Sequence, residues 1–254
     1  VAYTRPIVAM VDGERFEVWP GAPGPEPVRP VAARPVAGRP AIPAPAAAPV
    51  DGRGLYVGER ANASMVGGAF LAQDAQTARG GHVFAAVSAG FVAFGVDFQG
   101  GRASAGGSIH GASSASLTLE DCHFADNVAA GSPGRGGAIF TEGAGLTTWN
   151  TTFERGVGLA PAIYSLVSAN LRTGTEVLDH GANAPVVVDT GAVNVVGARF
   201  ERNGGGGLVV TRATGNPTPT RVAHSVFLEN RGPAFQLGFR ARDDSMTFEG
   251  NRVE

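Results

Sequence analysis

The sequence predicts an all-β protein, a right-handed parallel β-helix solenoid of about seven rungs with an extended Pro-rich N-terminal arm. Three observations predict it. A short phrase recurs as Phe124-Ala125-Asp126-Asn127, Phe200-Glu201-Arg202-Asn203, Phe227-Leu228-Glu229-Asn230 and Phe248-Glu249-Gly250-Asn251. Repeat starts made of paired glycines or a proline precede an apolar run, and their spacings run from 21 to 30 residues. The units are rich in Gly, Thr and Val, which disfavours helix and suits short strands joined by tight turns. A unit of that length cannot bury its own apolar face and has to stack on its neighbours.

The first element is the arm, residues 1–50. It holds 11 of the 17 prolines, and Arg29-Pro30, Arg34-Pro35 and Arg39-Pro40 recur every five residues. Such a segment builds no core and prefers polyproline II or a flexible tether. Its apolar anchors are Phe16, Val18 and Trp19, with Tyr3, Ile7, Val8 and Met10 upstream. These residues, with Arg29, Arg34 and Arg39, are the expected partner-binding set, able to pair as a strand or to fill a partner's pocket. Packing of the arm on its own solenoid stays open beside docking on a partner.

Residues 51–79 read as a connector and N-terminal cap, with Ala69 to Arg79 as a short helix or an irregular cover over the first rung. The solenoid proper is expected over 80–254. Its starts read Gly80-Gly81-His82-Val83, Gly106-Gly107-Ser108-Ile109, Gly136-Gly137-Ala138-Ile139, Pro161-Ala162-Ile163, Pro185-Val186-Val187, Gly206-Gly207-Leu208-Val209 and Pro233-Ala234-Phe235.

Counting back from each Phe gives the strand pattern. Positions −7, −5, −2 and 0 hold Leu117, Leu119, Cys122 and Phe124 in one unit, then Leu146, Thr148, Thr151 and Phe153. Later units hold Val193, Val195, Ala198 and Phe200, then Thr220, Val222, Ser225 and Phe227. Each pair alternates with period two and the phase slips once between them, which means two strands joined by a corner. Stacking then puts Phe98, Phe124, Phe153, Phe200, Phe227 and Phe248 in one internal column. Asn127, Asn203, Asn230 and Asn251 form a turn ladder, each amide bonding the rungs above and below and supplying the left-handed backbone of the corner. The unit at 161–181 is a weak copy, with Leu178 for Phe and Gly181 for Asn. In strict register its Glu176 would point inward, so a bulge or register shift is expected there.

Gly136-Gly137-Ala138-Ile139 following Phe124-x-x-Asn127 resembles the paired GGA[IVL] and FxxN repeats of the chlamydial polymorphic outer-membrane proteins. More broadly the repeat is similar to pectin-lyase-like β-helix passengers and surface proteins. The resemblance covers residues 80–254. It implies the scaffold, which adhesins and enzymes share, and an extracellular or surface setting, with an organelle lumen as the alternative.

Composition excludes several classes. The net charge of −2 gives no electrostatic footprint for nucleic acid. No run approaches 18 uninterrupted apolar residues, so no membrane span is expected. Cys122 is the only cysteine and cannot form an intrachain disulfide; its slot marks it as a small buried hydrophobe.

No catalytic constellation, cofactor or metal set is expected. The acidic residues Asp126, Glu154, Glu201, Glu229 and Glu249 follow the Phe column and, with Arg155 and Arg202, read as a charge-alternating solvated turn. Asp243-Asp244 reads as a solvated corner. None of His82, His110, His123, His180 and His224 pairs at metal-ligand spacing in sequence. The expected function is a non-catalytic structural or surface-assembly subunit. It is expected to attach to partner proteins through the arm and through the last rung; the sequence stops six residues after Phe248 without an amphipathic cap, so either it is a piece of a longer chain or another protein covers that face. Two alternatives stay open: a carbohydrate-binding adhesin or receptor-binding protein, which would display aromatics along one flank, and a polysaccharide lyase or hydrolase, which would gather carboxylates on one lateral face.

Overall fold

A computed structural model describes residues 7–11, 14–18, 51–211, 220–238 and 246–254. Backbone contacts divide the chain into two units, 1–48 and 49–254. In the first, Ile7–Val11 and Glu14–Val18 form an antiparallel pair in which Ala9 faces Phe16 and Ile7 faces Val18. Trp19, Arg29, Arg34 and Arg39 lie outside the described residues.

The second unit is a parallel β-solenoid. Three eight-stranded sheets run its length, and each coil gives one strand to each sheet. Neighbours within a sheet are three or four strands apart in chain order, and the pairing is parallel from coil to coil. Eight strands per sheet leave seven coil-to-coil steps. The first sheet runs from Leu55–Val57 through Val83–Ala85, Ile109–Gly111, Ile139–Thr141, Ile163–Ser165, Val186–Val188 and Leu208–Thr211 to Phe235–Gly238. The coils are numbered here, 1 to 8, by these strands.

The coil begins earlier than expected. Leu55–Val57, Asn62–Val66 and Ala69–Leu71 make a complete first coil within the stretch read as connector and cap, and the described residues contain no helix. Phe70 is the first member of the phenylalanine column, paired in register with Phe98. Its unit carries Gln73 where coils 3, 6 and 7 carry Asn.

The predicted inward slots are inward. Leu117, Leu119, Cys122 and Phe124 are buried, as are their counterparts in coils 4, 6 and 7. The column runs Phe70, Phe98, Phe124, Phe153, Val177, Phe200, Phe227 and Val253. Ring centroids are 5.3 Å apart from Phe70 to Phe98, 4.5 Å to Phe124 and 4.8 Å to Phe153, with near-parallel planes, and 4.8 Å between Phe200 and Phe227. That spacing follows the ~4.8 Å separation of hydrogen-bonded strands.

Two assignments need correction. Phe248 is not in the column. It pairs with Val222 in the second sheet, at the −5 slot, and is 48% exposed. Val253 takes the column position in coil 8, because Gly250 makes the left-handed corner three residues before it, as Gly95 does before Phe98. In coil 5 the column residue is Val177 and not Leu178. A shift is indeed present: six residues separate the paired slots Leu171 and Val177, against five from Thr148 to Phe153, so the extra residue sits in the corner between them.

The asparagines also work differently. At the two corners that flank the column strand, the left-handed residues lie at −3 and +2. The +2 file is Ala72, Gly100, Asp126, Arg155, Asp179, Arg202 and Glu229, so the corner residue precedes each asparagine. Each amide then clamps the preceding coil only. Asn127 accepts from the Gly101 N–H at 2.8 Å and donates to the Phe98 carbonyl at 2.9 Å. Asn203 accepts from the His180 N–H and donates to the Val177 carbonyl, and Asn230 spans Asn203 and Phe200 in the same way. Asn251 lies on a different file: it accepts from the Ser225 N–H and donates to the Val222 carbonyl.

The paired glycines have separate roles. Gly136 has a φ of 66°, which forms the corner. A Cβ on Gly137 would sit 2.2 Å from the Pro161 carbonyl oxygen, so the second glycine admits the backbone of the next coil.

Two predictions follow from this packing. Phe200→Asp places an unpaired charge in the column and should cost more than about 4 kcal/mol in urea denaturation; a neutral result would contradict the register. Asn203→Ala leaves the buried Val177 carbonyl and His180 N–H without partners and should cost about 1–3 kcal/mol in the same assay.

Candidate functional site

The line of charges beyond the column sits on the +2 corner file and alternates in sign along Asp126, Arg155, Asp179, Arg202 and Glu229. Arg155 binds Asp126 with both oxygens, at 3.0 and 3.1 Å. Arg202 grips Asp179 at 2.7 and 2.8 Å, and that hydrogen-bonded partner holds the Asp179 carboxyl below its usual range. Glu154 pairs with Arg155, and Glu201 with both Arg199 and Arg202. These charges satisfy one another across coils, as expected of a solvated turn.

Cys122 is buried, and burial pushes its thiol up, away from the nucleophilic form. The histidines are dispersed. His82 and His180 are buried, and burial lowers both to about 4. His82 Nδ1 meets the Ser108 hydroxyl at 2.9 Å. His123 bridges Asp97 at 3.5 Å and Glu154 at 3.2 Å on the surface of the third sheet. His224 forms a left-handed corner. Among the described residues no three His, Cys, Asp or Glu side chains are placed to hold a metal ion. Asp243 and Asp244 lie outside the described residues.

The densest chemistry lies where the sequence reading did not look. Strands of the first sheet place their central residues outward, and these form a second aromatic file: Tyr56, Phe84, His110, Phe140 and Tyr164. Tyr56 stacks on Phe84 at 5.5 Å, Phe84 on His110 at 5.1 Å, and Phe140 meets His110 and Tyr164 edge to face. All but Tyr56 are buried although they point away from the coil interior. The Arg79 guanidinium lies 4.7 Å from the Phe84 ring centre, and Arg135 lies 5.9 and 5.4 Å from those of Phe140 and Tyr164.

A chain of charges runs beside this file. Arg79 pairs with Asp51 at 2.7 Å and approaches Glu142 at 3.8 Å, and Glu142 lies 3.7 Å from His110 Nε2. The His110 contact holds the Glu142 carboxyl low. Burial pushes Asp51 up, but the Arg79 hydrogen bonds outweigh it and leave it lowered. Farther along, the Tyr164 hydroxyl donates to Asp189 at 3.1 Å; burial and that carboxylate raise its pKa. Both nitrogens of His110 and the Nε of Arg135 are buried without hydrogen-bond partners. The signal for this file was present, because an aromatic or imidazole follows the apolar residue in Val83-Phe84, Ile109-His110, Ile139-Phe140 and Ile163-Tyr164.

A second surface lies on the outer face of the second sheet. Phe94, Glu120 and Trp149 occupy one file in register, and Phe94 and Trp149 are 42% and 37% exposed. Val66 and Val92 are exposed beside Phe94, and Thr118, Thr147, Asn170 and Asn194 continue the adjacent file. Two coil spacings put the rings on the order of 10 Å apart.

Comparison of the chain with family models, curated proteins and solved structures finds no match.

Two outcomes test these placements. Arg79→Met keeps the stem and removes the charge that joins Asp51 to Glu142; stability in urea should fall by about 1 kcal/mol, and the loss should shrink in high salt. Acid should destabilise the solenoid through His82 and His180. Their folded values lie below the ordinary 6.5, so the unfolded chain takes up protons first. Stability is full above about 6.5, falls as the pH drops to about 4, and then levels for these groups, with a loss on the order of 3 kcal/mol per histidine. Urea midpoints between pH 7 and pH 4 check this.

Proposed function

We propose that the protein is a non-catalytic structural or surface-assembly subunit, a stiff β-solenoid attached to partner proteins through its N-terminal segment. One observation carries the reading. The polar groups of the most chemically dense face form a chain in which Asp51 meets Arg79, Arg79 approaches Glu142 and Glu142 approaches His110, each step within 4 Å, and Arg79 spreads over Phe84. Such an arrangement ties loops to the rod. The apolar residues of the N-terminal segment, Phe16, Val18 and Trp19, suit pairing or pocket filling, and Arg29, Arg34 and Arg39 recur through its proline-rich sequence. Removing residues 1–50 should abolish co-purification with the native assembly while leaving the solenoid's circular dichroism intact. Unchanged association would end this role.

A second reading, carbohydrate binding, is favoured by the file of Phe94 and Trp149. Exposed rings at alternate coils, flanked by hydroxyl and amide side chains, suit stacking of sugar rings along an extended glycan. A glycan that quenches tryptophan fluorescence in the parent chain and not in Trp149→Ala would promote it above the first.

A further inference from the structure

The interface between coils 4 and 5 is where three departures from the repeat coincide. The aromatic column breaks there: Phe153 is followed by Val177, so the stacked run that ends at Phe153 does not join the pair Phe200 and Phe227. Its interior is polar. The Thr141 hydroxyl donates to the Ser165 hydroxyl at 2.8 Å, and the Thr148 and Thr175 hydroxyls meet at 2.9 Å, all buried. On the first of these files the neighbouring coils carry Gly111 and Val188.

The third difference is the corner clamp. Where Asn127, Asn203 and Asn230 close the corner of the preceding coil, coil 5 supplies His180. Its Nδ1 accepts from the Gly156 N–H at 3.1 Å, the role of the asparagine oxygen. Its Nε2, on the side of the Phe153 carbonyl, has no hydrogen-bond partner, whereas the asparagine amide would donate there. An Asn clamp cannot titrate in this range; an imidazole can.

We propose that the interface between coils 4 and 5 is an acid-sensitive seam, at which protonation of His180 turns its Nδ1 from an acceptor into a donor facing the Gly156 N–H, so that these two coils part locally while their neighbours stay folded. The charges around the ring are Asp179 and Glu154, which favour the imidazolium, and Arg155, Arg202 and Arg231, which oppose it, with Glu229 beyond Arg202. Burial outweighs the two carboxylates and keeps the closed ring neutral to about 4. In the open seam the ring returns to its ordinary range near 6.5. Opening therefore grows easier as pH falls, roughly 20-fold from pH 7 to pH 5, and the gain stops below the closed value. This seam is independent of the reading of the protein as a spacer.

The test is native-state amide hydrogen exchange on the full chain, with rates corrected for the chemical effect of pH. The opening constant of peptides spanning 153–165 and 176–188 should rise roughly 20-fold between pH 7 and pH 5 relative to the coil 7 strands at 220–228, which carry no buried histidine. A constant ratio, or a uniform rise along the whole solenoid, would overturn the seam. His180→Asn should restore the clamp and flatten the ratio, and a variant that keeps the full pH response also overturns it. If that variant does not fold, the ratio in the parent chain decides alone.

Discussion

Parallel hydrogen bonding between successive coils fixes everything else in this protein. Once each strand lies in register one strand spacing above its predecessor, equivalent residues must stack, and every side chain is chosen against its own counterpart. A ring can occupy the column because a ring lies above and below it. Phe98, Phe124 and Phe153 fill that file with nearly parallel planes. The same rule places opposite charges on the exposed +2 file, where Asp126, Arg155, Asp179 and Arg202 alternate, since like charges at that spacing would repel.

The corners show how a local backbone requirement and a long-range bond are met by adjacent residues. Turning the chain requires a left-handed residue, and in coils 3 to 7 the fold accepts ordinary residues there: Asp126, Arg155, Asp179, Arg202 and Glu229. Such a conformation is costly for a side chain with a Cβ. The next residue offsets it. Asn127, Asn203 and Asn230 each reach back one coil to pair an N–H and a carbonyl that the corner leaves open. The clamp is directional, which is why it tolerates His180 in one coil at the expense of one unpaired nitrogen.

Most of the interior was legible in the sequence because its signal is periodic. The alternation of Leu117 with Leu119 and of Cys122 with Phe124 implies two strands and a corner, and the structure has them. The errors have a common origin, which is that a motif match was read without the backbone requirement that gives it meaning. Phe248-Glu249-Gly250-Asn251 matches the phrase, yet Gly250 is the −3 corner and so assigns the column to Val253. Phe70 lies before Gly80-Gly81, the first paired-glycine start, and no such pair opens its own coil before Leu55. The outward file of Phe84, His110, Phe140 and Tyr164 was not legible as buried surface, since Arg79 and Arg135 reach over its rings from the turns before the strands, outside the period-two pattern. Period-two patterns tell which face a residue takes; they do not tell what lies over the outer face.

The stacked column is the claim on which the register, the corners and the break at Val177 all rest. A double-mutant cycle with Leu substitutions measures it directly. Phe124 and Phe153, adjacent in the file, should couple by about 0.5–1.5 kcal/mol beyond their separate losses, and Phe153 and Phe200, with Val177 between them, should show no coupling. Equal coupling in the two pairs, or none in the first, would contradict the account.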